Sequence, residues 1–270
     1  MSLRSFISGA VGGGVVEVNY KYLCANKSSS AMLMLESKIN EVGVGCVDWY
    51  RLSENPFAMS LLLRYSDMIS WSYLSSNPNP SAIALLESNR DRIDYRNLAK
   101  NPNAIHLLRE YLEGPNGSAM NNILVFKLNL SKNPNAYELL VRYPHLRCDM
   151  GLSLNTNPEC FSLCSDYHDG WLFTNPAPSA TALIHSRVPN SFQNEWTTYI
   201  ARNENPDTFS MLETLMDMHP EESFAGGGLI TMEMCLSRNP AAIGLLERRP
   251  DLIHWEMIWS NCGIFETSAV

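Results

Sequence analysis

The sequence has 270 residues, of which 45% are hydrophobic and 18% are charged, and its formal net charge is −8. The apolar content is ample for a continuous core, whereas the acidic balance argues against nucleic-acid binding, because phosphate recognition normally requires a basic surface. No uninterrupted apolar run reaches the roughly 18 residues of a membrane-spanning helix, so no membrane span is predicted.

Residues 1–25 predict a flexible or extended N-terminal arm. Four glycines fall in the segment between Phe6 and Val16. Because glycine disfavours both helix and regular strand, we expect this arm to become ordered only when a partner binds. The rest of the chain contains a repeated helical pattern, which is described below. Asn26 leads into an apolar run that resembles a degenerate first copy of this pattern, so the sequence predicts a single helical-repeat domain over residues 26–266.

The dipeptide Asn-Pro marks eight candidate repeat starts, at intervals of 18 to 34 residues. Asparagine is a favourable N-cap because its side chain accepts a hydrogen bond from an unpaired amide of the first helical turn. Proline is favoured at the first helical position, where its missing N–H has no partner to lose. Each dipeptide is therefore a predicted structural cap at a helix start. The eight dipeptides are Asn55-Pro56, Asn77-Pro78, Asn101-Pro102, Asn133-Pro134, Asn157-Pro158, Asn175-Pro176, Asn205-Pro206 and Asn239-Pro240.

The flanking residues predict two short helices in each repeat of about 22–24 residues. Four of the dipeptides are preceded by Leu-Ser-x, as at Leu236-Ser237-Arg238, and several are followed by an alanine and a Leu-Leu pair on one helical stripe. A second turn and an Ile-x-aromatic segment complete the unit. Since such short helices are unstable alone, successive units are expected to stack. The predicted fold is an all-α solenoid of two-helix repeats with insertions.

The longer intervals predict insertions, and the shortest interval predicts a truncated repeat. The glycine-containing segments 114–118 and 221–228 are predicted loops. The interval from Asn157 to Asn175 is too short for two full helices, so its second helix is expected to be reduced to a turn.

The repeat resembles a known viral family. The segment Leu236 to Trp255 and the segment Leu74 to Pro102 are similar to the short Asn-Pro repeats of proteins from large double-stranded DNA viruses, including minor capsid proteins of chlorella-type viruses. The resemblance covers about residues 45–265. It implies a virion protein that contacts other capsid proteins, namely the major coat protein and neighbouring minor capsid proteins, and that passes through the host cytoplasm during assembly.

Residues with the chemistry of a zinc site occur in the degenerate part of the chain. Cys148, Cys160, Cys164 and His168 have suitable side chains, but Cys160 aligns with the core residue Ala104. A buried cysteine behaves as a small hydrophobic residue, so core packing is the favoured interpretation. The histidines fall on variable or turn positions of the repeat. The sequence therefore predicts no metal, no cofactor and no catalytic residue.

Two tryptophans, Trp196 and Trp259, do not fit the repeat clearly and are possible interface anchors. The predicted function is that of a non-enzymatic structural protein, most simply a minor capsid component. The alternative is an intracellular adaptor or scaffold that uses the solenoid surface to bind a host or viral protein. Neither interpretation includes nucleic acid, a membrane span or a small-molecule substrate.

Overall fold

A computed structural model describes residues 3–14, 17–187, 194–218 and 231–265. The described residues form helices and connecting turns, and they contain no β-strand apart from one isolated antiparallel bridge between Leu3 and Phe265. The all-α prediction is therefore confirmed. The loop predicted at 221–228 lies outside the described residues.

The α-helices of the described residues are short. In chain order they are α1 Ser5–Gly12, α2 Tyr20–Leu23, α3 Ser29–Val42, α4 Trp49–Glu54, α5 Met59–Arg64, α6 Trp71–Leu74, α7 Pro80–Glu87, α8 Tyr95–Leu98, α9 Ile105–Glu113, α10 Leu124–Lys132, α11 Tyr137–Arg142, α12 Asp149–Ser153, α13 Pro158–Phe161, α14 Asp169–Leu172, α15 Pro178–Arg187, α16 Asn194–Ile200, α17 Pro206–Met218, α18 Met232–Arg238 and α19 Ile243–Arg248. Single 3-10 turns lie at Val44–Cys46, Pro56–Ala58, Ser66–Met68, Arg90–Arg92, Gly117–Met120, Pro144–Leu146, Pro240–Ala242, Pro250–Leu252, Ile258–Ser260 and Cys262–Ile264.

The chain packs into two compact units. Unit 1 combines Met1–Arg64 with Pro189–Val270, and unit 2 is the continuous segment Tyr65–Val188. The repeat pattern did not predict this division, since it indicated one domain over residues 26–266. Unit 1 therefore contains repeats from both ends of the chain, whereas unit 2 contains only consecutive repeats.

One apolar position recurs in the core of every repeat, at the end of its second helix. In each described repeat this residue lies three places before a buried asparagine, and its side chain is at most 1% exposed. Burial of one such side chain stabilises the fold by about 1.5–3 kcal/mol, which a four-residue helix cannot obtain alone. The residues at this position are Leu23, Leu52, Leu74, Leu98, Leu130, Leu152, Leu172, Ile200, Leu236 and Ile258.

The prediction of a flexible or extended arm at residues 1–25 is corrected by the structure. The segment contains α1 and α2, and the side chain of Ile7 is fully buried. The glycines of α1 have a low helix propensity, but tertiary packing of Ile7 overrides that weak local preference. The helix α2 is the second helix of the first repeat, so the repeat array begins near Tyr20 and not at Asn26.

Candidate functional site

Ten asparagines occupy the same buried position in successive repeats, and we call them the ladder asparagines. They are Asn26, Asn55, Asn77, Asn101, Asn133, Asn155, Asn175, Asn203, Asn239 and Asn261, and each is at most 3% exposed. In nine of them Oδ1 accepts a hydrogen bond from the backbone N–H two residues later, at 2.8–3.1 Å. In Asn26, Oδ1 accepts from the Ser28 hydroxyl at 2.7 Å. The oxygen of each side chain thus fixes the turn that follows it.

The side-chain nitrogen of a ladder asparagine reaches the preceding repeat. In Asn133, Nδ2 donates to the carbonyl of Asn101 at 2.9 Å and to that of Ala99 at 2.9 Å. Asn155 in turn donates to the carbonyls of Asn133 and Ser131, at 3.0 and 2.7 Å. The same two acceptors, the neighbouring ladder asparagine and the residue two places before it, are found for seven ladder asparagines: Asn26, Asn55, Asn101, Asn133, Asn155, Asn175 and Asn239. Each of these seven amides therefore satisfies two buried carbonyls that would otherwise lack partners.

The serine of the Leu-Ser-x-Asn pattern provides a second link between repeats. The Ser131 hydroxyl accepts from the backbone N–H of Cys148 at 2.8 Å, and the Ser237 hydroxyl accepts from that of His254 at 2.7 Å. In the first repeat Cys24 replaces this serine, and its Sγ accepts from the N–H of Asp48 at 3.4 Å. Sequence reasoning noted the recurring serine but did not recognise that it links consecutive repeats.

The asparagines predicted as helix caps fall into two groups: some directly precede a helical turn, and others precede a non-helical turn. Asn55, Asn157 and Asn239 cap helical turns that begin at the next proline, and Asn205 accepts a hydrogen bond from the N–H of Asp207 within α17. After Asn77, Asn101, Asn133 and Asn175, however, the helix begins only three or four residues later, so the four following prolines lie in turns. The helix α7 is capped instead by Asn79.

Two of the predicted repeat positions are displaced by two residues. Asn155 and Asn203 are the ladder asparagines, whereas Asn157 and Asn205 are the second asparagine of an Asn-x-Asn-Pro segment. The Leu-Ser-x-Asn pattern at Leu152 was the signal that could have identified this register. The interval to Asn175 is consequently longer than predicted. The first helix of this repeat, α13, is the shortened one, and the second, α14, has four residues, as α6 and α8 do.

In unit 1 the ladder joins the two ends of the chain. Asn26 donates from Nδ2 to the carbonyl of Trp259 at 3.0 Å and to that of Asn261 at 2.8 Å. These acceptors have the same spacing as those of Asn55 and Asn239 in the same unit. The backbone of Arg4 adds a hydrogen bond to the carbonyl of Ile264 at 2.8 Å. The first repeat of the sequence therefore follows the last repeat in space, in the same register as neighbours along the chain.

Exposed ion pairs form a third set of links, between the first helices of successive repeats. The arginine–glutamate pairs of this kind, with N–O distances of 2.5–2.7 Å, are Arg64–Glu36, Arg109–Glu138, Arg142–Glu113 and Arg248–Glu213. Between α7 and α9, His106 Nε2 lies 2.8 Å from Glu87 Oε1. Exposed pairs contribute at most about 1 kcal/mol each, because water screens them. They are therefore expected to contribute less to the free energy of unfolding than the buried ladder does.

The candidate zinc ligands do not assemble. Cys148, Cys160, Cys164 and His168 form no group that could hold a metal ion, and the described residues contain no other such cluster of His, Cys, Asp or Glu. Cys160 is fully buried, and burial raises the pKa of its thiol to about 11. Burial likewise raises the pKa of Cys24 to about 12. Since the thiolate is the metal ligand and the nucleophile, these two side chains are neutral packing groups at physiological pH.

The two candidate interface tryptophans lie in different environments. Trp196 in α16 is half-buried, whereas Trp259 is fully buried. Trp259 occupies the position that Ser237 occupies in the preceding repeat, and its indole N–H has no hydrogen-bond partner among the described residues. The interface prediction for Trp259 is therefore corrected: this side chain packs in the core of unit 1 and is not available to a partner.

Large apolar side chains are exposed in both units. In unit 1, Leu33 and Leu63 are 67% and 56% exposed, on α3 and α5, and Phe57 is exposed on the 3-10 turn that contacts both helices. In unit 2, Leu124 and Val125 are 59% and 53% exposed at the start of α10. Contiguous exposed apolar side chains are typical of protein–protein contact surfaces.

The chain matched no protein-family model, no curated protein and no solved structure. Among the described residues, none of the helices combines the length and the apolar character that a membrane crossing requires.

Proposed function

We propose that this chain is a non-enzymatic structural protein whose repeats stack into a helical solenoid, and that it is a minor capsid component of a large DNA virus. The main support for the viral role is the Asn-Pro repeat, which resembles the repeat of viral minor capsid proteins. In support of the solenoid, each ladder asparagine with a described acceptor bonds the preceding repeat of its own unit. A scaffold of this kind presents side chains at regular intervals along an extended face.

The exposed apolar side chains support a role in protein–protein contact. Leu33 and Leu63 lie on helices of adjacent repeats and contribute little to the core, since more than half of each side chain is accessible. Loss of apolar area from water is the main driving force of most protein association. These residues are the proposed contact points for the major coat protein or a neighbouring minor capsid protein.

The proposal is tested by quantitative mass spectrometry of purified virus particles. A fixed ratio of this chain to the major coat protein is expected. Its absence from particles, together with its presence in infected cytoplasm, would contradict a capsid role and favour the adaptor alternative. Pull-down from those cells would then identify the partner.

A matched pair of variants tests the contact surface. The double variant Leu33→Lys with Leu63→Lys is expected to fold and to be depleted from particles, because it places charge on the proposed interface. The control Asn116→Lys changes an exposed residue of unit 2 and is expected to be incorporated normally. Equal incorporation of the two variants would exclude this patch as the contact surface.

A further inference from the structure

A cavity of about 460 Å³ lies in unit 1 beside the ladder, where residues from the two ends of the chain meet. Its lining includes Lys27, Arg51, Glu204, Arg238, Ser260 and Cys262, and we call it the seam cleft. Lys27 follows ladder residue Asn26, Arg238 precedes Asn239, and Ser260 and Cys262 flank Asn261. The cleft is thus formed only when the first and last repeats are joined.

The seam cleft is basic, although the chain as a whole carries a net charge of −8. Its lining contains three cationic side chains and one carboxylate, that of Glu204. Arg51 is partly neutralised by Asp48, whose carboxylate lies 3.0 Å from its guanidinium. No carboxylate of the described residues lies within ion-pair distance of Lys27 or Arg238. Two cations in the cleft therefore have unused capacity to bind an anion.

The Tyr22 ring makes cation–π contacts with two arginines of the seam cleft, Arg51 and Arg238. The guanidinium carbon of Arg51 lies 4.5 Å from the centroid of the Tyr22 ring, and that of Arg238 lies 5.8 Å from it. Cation–π contacts of this kind hold guanidinium groups in place without neutralising their charge. The two groups come from α4 and α18, so the ring brings together cations from opposite ends of the sequence.

We propose that the seam cleft binds a phosphate-bearing small molecule with at least two anionic groups. The guanidinium fork matches phosphate oxygens in a bidentate geometry, and the lysine supplies a mobile point charge. The volume of the cleft falls in the range of small-molecule sites, which is about 300–1,000 Å³. A bound anion neutralises like charges that otherwise repel one another, and it bridges repeats from both ends of the chain. This inference concerns binding, not turnover, and it does not depend on a capsid role.

The test is titration calorimetry of the full-length chain with inorganic tripolyphosphate at physiological ionic strength. Saturable binding is expected, with Arg238→Gln weakening it about tenfold, since one charge-assisted contact is lost. Lys27→Gln is a second variant, at an exposed residue, and is also expected to weaken binding. The matched control Arg248→Gln removes an exposed arginine of the same unit that pairs with Glu213. It is expected to leave the affinity unchanged.

Four outcomes would overturn the proposal. The first three are an absence of binding to the wild type, equal weakening by Lys27→Gln and Arg248→Gln, and equal affinity for sulfate at the same ionic strength. Binding of a hexaglutamate peptide with higher affinity than tripolyphosphate would also overturn it, in favour of an acidic segment of a protein partner. Particle composition does not enter this test, so its failure is distinguishable from failure of the capsid proposal.

Discussion

Unit 1 and unit 2 contain the same ladder of asparagines, but they take their repeats from the chain differently. In unit 2, Asn101, Asn133, Asn155 and Asn175 each bond the repeat that precedes them in sequence. In unit 1, Asn26 bonds a repeat more than two hundred residues away, with the same pair of acceptors. The comparison indicates that side-chain hydrogen bonding sets the register between repeats, and that chain continuity is not required for it.

The largest expected effect comes from removing the donor of one ladder asparagine in unit 2. Asn133→Asp replaces an amide that donates to two buried carbonyls with a carboxylate that repels both. We expect a loss of about 3–5 kcal/mol in the free energy of unfolding, because the buried carboxylate has no countercharge and its second oxygen faces two carbonyl oxygens. Urea unfolding followed by circular dichroism measures this loss. The control Asn116→Asp makes the same chemical change at an exposed site and is expected to be nearly neutral.

An intermediate effect is expected from a close contact in unit 2 that does not involve the ladder. A Cβ added at Gly151 of α12 would lie 2.5 Å from the Leu128 carbonyl oxygen of α10, and backbone cannot move aside as a side chain can. Gly151→Ala is expected to destabilise the protein by about 1–3 kcal/mol. The matched change Gly244→Ala in α19 of unit 1 meets only the end of the Arg248 side chain, at 3.8 Å. It is expected to stabilise the protein by up to about 1 kcal/mol through helix propensity.

Equal stabilities of these two alanine variants would show that α10 and α12 do not approach as closely as the structure indicates. The thermal midpoints of the two variants, measured side by side, provide this comparison.

The smallest effect is expected from the exposed ion pairs, which also connect consecutive repeats. Arg142→Gln removes the pair with Glu113 in unit 2, and Arg248→Gln removes the pair with Glu213 in unit 1. Each is expected to lower the free energy of unfolding by less than about 1 kcal/mol, and to have less effect at high salt. A loss comparable to that of Asn133→Asp would contradict the assignment of inter-repeat stability to the buried ladder.

The sequence predicted the repeat and its helices because these depend on local chemistry. Asparagine and proline at a turn, and leucines on one helical stripe, act within a few residues of one another. The buried ladder was not predicted, since the Asn-Pro dipeptide was interpreted as a helix cap and does not report which asparagine is buried. Asn155 and Asn203 are buried although neither directly precedes a proline. Each lies three residues after a buried apolar residue, Leu152 or Ile200.

The features that sequence reasoning missed depend on contacts between distant residues. The helix α1 forms in spite of its glycines because Ile7 is buried and Arg4 bonds the C-terminal end of the described chain. The basic lining of the seam cleft combines Lys27 with Arg238, which no local pattern connects. A single sequence contains no direct signal for such pairings, and only the three-dimensional arrangement brings them together.

The most direct test of the account is the stability of Asn26→Asp, in which the ladder is broken where the two ends of the chain meet. Nδ2 of Asn26 donates to the carbonyls of Trp259 and Asn261, as Asn133 does to its own neighbours. Urea unfolding should therefore give a loss close to that of Asn133→Asp, about 3–5 kcal/mol. A loss no larger than that of the exposed control Asn116→Asp would contradict the claim that the first and last repeats are joined by the same interaction.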